Sequence, residues 1–199
     1  MKFIGITGGV GAGKSEILSY LQKKQGVRVM LADEIAHDLM EPGTSCYTIL
    51  EETFRNEDIW NADRNFDKEK LARVIFADKK KRDILNNIVH PAVKNYVIEQ
   101  YEYEKTKGDI SLLVLEAALL IEEHYDKICD ELWYIYTSEE NRRVRLKASR
   151  GYSDEKIDNI FNSQLKEDEY RKYCAVVIDN NCSVEAAFEQ IDRALMNEE

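Results

Sequence analysis

Five glycines fall within residues 5 to 13, in the stretch GITGGVGAGKS, and a lysine and a serine follow at once. Glycine weakens helix and strand interiors and has an advantage only where the backbone takes positive φ or something must approach it closely. Phe3, Ile4 and Ile6 before the run suit a short buried strand, while Ile17, Leu18 and Leu21 after it recur at one-turn spacing. The pattern is therefore Gly8-x-x-x-x-Gly13-Lys14-Ser15 between a strand and a helix, the context that a phosphate-binding loop demands. Successive backbone N–H groups form a concave nest, the helix N-terminus adds partial positive charge, and the lysine reaches the β- and γ-phosphates of a nucleotide. Ser15 is the expected Mg²⁺ ligand. The expected nucleotide-binding stretch comprises Gly9, Val10, Gly11, Ala12, Gly13, Lys14, Ser15 and Glu16.

A loop of this kind needs a parallel sheet behind it, and the rest of the chain supplies the runs. After the first strand come VRVMLAD (27 to 33), ISLLVLE (110 to 116), ELWYIYT (131 to 137) and AVVID (175 to 179), each apolar enough for a sheet covered on both faces. Helical patterns separate them. The last follows the expected N-cap Ser183 and carries Val184, Ala187, Phe188, Ile191, Ala194 and Leu195. The fold class is α/β: a doubly wound, five-stranded parallel sheet with helices on both faces. With 199 residues, 44% of them hydrophobic, the chain can bury a real core.

One connection is too long for a plain crossover. Between the second and third strand runs, three helical patterns appear: Leu71, Val74 and Ile75; Ile84, Leu85 and Ile88; then Val93, Val97 and Tyr101. His90 precedes Pro91, which disfavours helix at His90 and predicts a fresh start at the proline. The expected organisation is a core of residues 1–36 and 108–199 with an inserted helical subdomain at 37–107. At the carboxyl edge of such a sheet an insertion lies where ligands bind.

The formal net charge of -10 argues against general nucleic-acid binding. A local exception is the basic run Arg142, Arg143, Arg145, Lys147 and Arg150, on a helix expected to begin with a Thr137–Glu140 capping box. It reads either as a solvated helix face or as a lid of about 138–153 whose arginines meet phosphate, which guanidinium forks suit. Cys46, Cys129, Cys174 and Cys182 contain no CxxC pair, and His37, His90 and His124 are scattered, so no zinc site or disulfide framework is expected. With the glycine-rich loop so early and no apolar run of spanning length, neither a signal peptide nor a membrane segment is expected. A reducing cytoplasm is the default.

GITGGVGAGKS, ADEIAHDLMEPG (32 to 43), FDKEKLARVIF (66 to 76), LNNIVHPAV (85 to 93), LEAALLIE (115 to 122), RLKASRGYS (145 to 153), Gln164 and VIDNN (177 to 181) occur in this order. Together they resemble the dephospho-coenzyme A kinases over nearly the whole chain. The resemblance implies transfer of the ATP γ-phosphoryl group to the ribose 3′-hydroxyl of dephospho-CoA, with Mg²⁺, as the last step of coenzyme A synthesis. It also implies an α/β nucleotide core of the P-loop kinase type, a helical CoA-binding part, an arginine-bearing lid, and a cytoplasmic monomer. The chain departs from the usual pattern at Leu31, at Glu116 and Ala118, at Glu16 after the loop serine, at Lys68, and at Asn141 or Arg142.

Phosphoryl transfer asks a protein mainly to position the partners and to neutralise charge on the transferring oxygens. Lys14 with the loop amides serves one side, and Arg142, Arg145 or Arg150 closes from the other. Asp33, at the expected end of the second strand, is the candidate base for the attacking hydroxyl, the alternative being an N-cap for the helix 34–40. Glu116 is a candidate Mg²⁺ ligand through water or an acceptor for loop amides. His90 and Leu119 are candidate acceptor contacts, with a purely structural His90 as the alternative. Asn180 lines the adenine pocket or is a turn residue. Two rival functions remain at this level: a kinase of another small metabolite, which would not need so large an insertion, and a GTP switch. The latter rests on Thr106-Lys107-Gly108-Asp109, which precedes a strand where a guanine-reading motif follows one.

Overall fold

In the computed structural model, which describes residues 1–196, the apolar runs form five strands. They are β1 (Lys2–Thr7), β2 (Val27–Leu31), β3 (Leu112–Glu116), β4 (Glu131–Tyr136) and β5 (Val176–Asp179), in the spatial order β2-β3-β1-β4-β5. The pairs β1–β3, β1–β4 and β4–β5 run parallel. The chain leaves β1 toward the β2 side and leaves β4 toward the β5 side. The carboxyl ends of β1 and β4 thus flank a topological switch point, where ligands of open α/β sheets bind.

Contact density divides the chain into two compact units, Met1–Met30 with Glu104–Glu199, and Leu31–Tyr103. In the first, Phe3, Ile4, Ile6, Leu113, Leu115, Trp133 and Ile135 are all but inaccessible, as expected for a sheet covered on both faces. Helix α1 (Lys14–Gln22) buries Ile17, Leu18 and Leu21. The C-terminal helix, numbered α9 in chain order (Val184–Met196), buries Ala187 and Ile191, and the Ser183 hydroxyl caps its start by accepting from the Ala186 N–H. These two helices meet where Tyr20 stacks on Phe188 at 3.9 Å. Between β4 and β5 lie α6 (Glu139–Arg150), α7 (Asp154–Ser163) and α8 (Glu167–Tyr173).

The second unit is helical: α2 (Ala32–Leu39), α3 (Ser45–Thr53), α4 (Lys68–Ala77) and most of α5 (Lys79–Lys107). Thr44 and Asp67 cap α3 and α4 with their side-chain oxygens. Trp60 stacks on Phe66 at 4.6 Å, and Tyr47 meets both rings edge-on.

Three local expectations are corrected. The helix does not restart at Pro91: α5 runs unbroken through it. Leu85, Val89, Val93 and Val97 are buried at four-residue intervals, so one continuous apolar stripe carries the helix across, while Pro91 and Asn87, whose carbonyl would have met the missing N–H, face solvent. Strand β2 stops at Leu31, which is itself the extended N-cap of α2, so Asp33 sits inside the first helical turn and caps nothing. Finally, Ser138 caps α6 by accepting from the Asn141 N–H, and Thr137 does not. The Thr137 hydroxyl is drawn instead to the carbonyls of Ala12 and Asn180, which shifts the helix start by one residue. Among the described residues no helix is long and apolar enough to cross a membrane.

Candidate active site

Strand β1 delivers the chain into the loop at Gly8. At Gly9 a Cβ would lie 2.3 Å from Cζ of Arg142, so only glycine leaves room for that guanidinium. Gly13 adopts φ +88 as the N-cap of α1 and offers no side-chain acceptor to the first amides of the helix. Those donors have no intrahelical carbonyl to meet, and the helix dipole adds to their positive potential. Lys14 folds back over this turn. Its Nζ donates to the Gly8 carbonyl at 2.8 Å and lies 3.5 Å from the Glu116 carboxylate. The sheet register explains the second contact, since Glu116 ends β3 directly opposite Ile6 of β1.

The other wall is α6, packed against the loop. Leu146, Ile157 and Phe161 form a small apolar cluster joining α6 to α7, with Val10 of the loop packed on it. Arg142 is 8% exposed. Its Nε donates to the Val10 carbonyl at 2.9 Å, its Nη2 donates to Oε1 of Gln164, and its guanidinium lies over the Phe161 ring at 4.3 Å. Burial lowers its pKa from the usual guanidinium range, but an arginine keeps its charge nonetheless.

Arg145 donates to the Asn180 carbonyl at 2.7 Å and to the Ala12 carbonyl at 3.3 Å. That Ala12 carbonyl also receives the Thr137 hydroxyl at 3.1 Å and Nδ2 of Asn180 at 2.8 Å. A single loop carbonyl thus gathers three side-chain donors. The remaining cations of the run are spent elsewhere: Arg143 pairs with Asp154 and Asp158, and Lys147 pairs with Asp154. Arg150 is exposed beside the Tyr152 ring, and its hydrogen bond is the largest of the influences lowering the Tyr152 phenol pKa.

The first unit therefore holds the loop from Gly9 to Glu16, Glu116, Leu119, Arg142, Arg145, Arg150 and Asn180. Ser15 and Glu16 are exposed in the first turn of α1, and Leu119 is 41% exposed after β3. Asn180 is buried with its amide turned to Ala12. Asp33 and His90 belong to the second unit, Asp33 exposed in α2 and His90 half-buried in α5. Sequence reasoning gave no role to Thr137 beyond capping and none to Asn181, whose Oδ1 accepts from the Ser138 N–H at 2.9 Å and from Asn141 at 3.0 Å. The only hint was their position after strands β4 and β5.

A family model described as dephospho-CoA kinase matches residues 2–186. A dephospho-CoA kinase of Carboxydothermus hydrogenoformans is 35% identical over 191 residues, covering 96% of this chain and 91% of its own. One of Oceanobacillus iheyensis is 35% identical over 192 residues, covering 96% and 95%. Among solved structures, TT1252 from Thermus thermophilus superposes with a TM-score of 0.79 at 27% identity, covering 100% of this chain and 98% of that one.

Proposed function

The chain belongs to the dephospho-CoA kinase family, and from that premise we propose how its residues divide the work. The enzyme phosphorylates dephospho-CoA at the expense of ATP, in coenzyme A synthesis. The acceptor atom in this reading is the ribose 3′-hydroxyl oxygen, which attacks the γ-phosphorus in line while ADP leaves.

The observation that carries the assignment is Lys14, held between the Gly8 carbonyl and the Glu116 carboxylate at an uncapped helix start. An ammonium so placed exchanges those two acceptors for β- and γ-phosphate oxygens when ATP enters, and the loop amides take the phosphates from below. Arg142 and Arg145 stand on the opposite wall of the same loop, where they neutralise charge on the transferring group. Arg150 and Asn180 complete the nucleotide side. Asp33 accepts the proton of the attacking hydroxyl, and its exposure in α2 suits a group that must meet substrate. The helical unit that contains His90 receives dephospho-CoA, with Leu119 as a further acceptor contact.

The donors present also fit Mg²⁺. Ser15 offers a hydroxyl and Glu116 a carboxylate, two hard oxygens of the kind this ion takes alongside waters and substrate phosphates. Bound there, the ion would neutralise charge on the β- and γ-phosphate oxygens. We further propose a monomer working in a reducing cytoplasm, in keeping with the free cysteines Cys46, Cys129, Cys174 and Cys182. The net charge of -10 favours no nucleic-acid partner.

The test uses Asp33→Asn, nearly isosteric and unable to accept a proton. Turnover of dephospho-CoA falls roughly 10²- to 10⁴-fold, while ATP affinity and melting temperature stay near those of the parent. An Asp33→Asn enzyme with parental turnover removes Asp33 from the catalytic list.

A further inference from the structure

We propose that Gln164 is a positioning residue for phosphoryl transfer, its one side-chain oxygen fixing both the phosphate loop and the arginine above it. The proposal rests on the reading that this loop and Arg142 handle the ATP phosphates. Oε1 of Gln164 accepts from the Val10 N–H at 3.4 Å and from Nη2 of Arg142. Nε of the same arginine donates to the Val10 carbonyl at 2.9 Å. These bonds close a ring: one Arg–Gln pair holds the N–H and the C=O of a single loop residue. Val10 thereby has its peptide orientation set from outside the loop, immediately before the turn that leads into the uncapped start of α1.

The pair is itself anchored. Gln164 is the C-cap of α7, in an extended conformation that ends the helix. One turn earlier, α7 is pinned by Phe161, and behind that by Ile157 at 0% exposure. Arg142 lies over Phe161 and fills the space beside Gly9 that any Cβ would occupy. The position of α7 is thus transmitted to the loop through Gln164 rather than through a flexible surface contact.

The residue type carries the rest of the argument. A carboxylate at this point would accept the same two hydrogen bonds, and more strongly. It would also cancel the charge of Arg142 beside a site meant for a polyanion. Glutamine satisfies the buried guanidinium without neutralising it, so the positive potential over the loop is kept.

The experiment compares Gln164→Glu and Gln164→Leu with the parent, measuring binding of a non-hydrolysable ATP analogue without acceptor, kcat with dephospho-CoA, and exchange of the Val10 amide. Gln164→Glu keeps the geometry and loses the charge, so analogue affinity and kcat each fall about tenfold while Val10 remains protected. Gln164→Leu loses the acceptor, so Val10 exchanges faster and kcat falls about 10- to 100-fold, the scale of a 1 Å misplacement. A folded Gln164→Leu enzyme with parental kcat overturns the proposal. So does a Gln164→Glu enzyme that binds the analogue as the parent does, and this arm decides if the leucine variant does not fold. If the parent itself fails to bind the analogue, the phosphate-site reading falls and takes this proposal with it. Parental binding with unaffected variants condemns Gln164 alone.

Discussion

The Ala12 carbonyl, with donors from Thr137, Arg145 and Asn180 at 3.1, 3.3 and 2.8 Å, makes a quantitative prediction about redundancy. Asn180→Ala removes the shortest of the three bonds from a site that is 3% exposed. The carbonyl keeps two donors, so the loss is one net hydrogen bond of about 1 kcal/mol plus a small void, about 1.5–2 kcal/mol in all. Thr137→Val is nearly isosteric and costs about 1 kcal/mol by the same reasoning. In the double variant only the 3.3 Å contact from Arg145 remains. A buried carbonyl left so poorly paired adds about 1–3 kcal/mol beyond a simple sum. In a chain of this size each kcal/mol is about 2–4 °C in Tm. Single variants therefore melt a few degrees lower, and the double variant drops by more than the two shifts together. Urea denaturation of the four proteins measures the interaction energy directly. Additivity within about 0.5 kcal/mol refutes the idea of a shared acceptor.

Lys14→Ala lowers turnover about 10²- to 10³-fold with little change in melting temperature, because the ammonium sits at the uncapped start of α1 beside the Gly8 carbonyl and the Glu116 carboxylate rather than in the core; a folded variant with near-normal turnover ends that role. Gly9→Ala puts a methyl into the space of the Arg142 guanidinium, so ATP affinity falls while α1 and the sheet persist, and unaltered affinity would show that Arg142 moves freely. Burial pushes the Cys129 and Cys174 thiols up to about 12, leaving almost no thiolate on these two at pH 8, and raises the Cys46 thiol as well. Ellman's reagent then labels the exposed Cys182 rapidly in the native protein and all four thiols only after unfolding; two or more fast thiols would contradict the burial.

Much of this was legible in the chain because the constraints are local. A glycine pattern that needs positive φ at Gly11 and Gly13, after an apolar run too short for a helix and before apolar residues at one-turn spacing, leaves little choice but a strand, a nest and a helix. The basic run was equally visible, yet its fate was not. Arg142 and Arg143 are neighbours of the same type, and only the packing of α7 sends one to Val10 and Gln164 and the other to Asp154 and Asp158. Pro91 shows the reverse failure. A correct local rule yielded to a buried stripe of four residues that no local rule weighs. Thr137 and Ser138 are both good caps, and the choice between them is made by a carbonyl 125 residues away in sequence.

The most direct measurement of the central claim supplies purified protein with ATP and Mg²⁺, and offers dephospho-CoA, nucleosides, shikimate and gluconate in parallel. The account predicts coenzyme A in the first reaction only, its new phosphate on the ribose 3′-oxygen by ³¹P NMR, and no product from the others. Equal turnover of a nucleoside, or a phosphate placed elsewhere on dephospho-CoA, would contradict it.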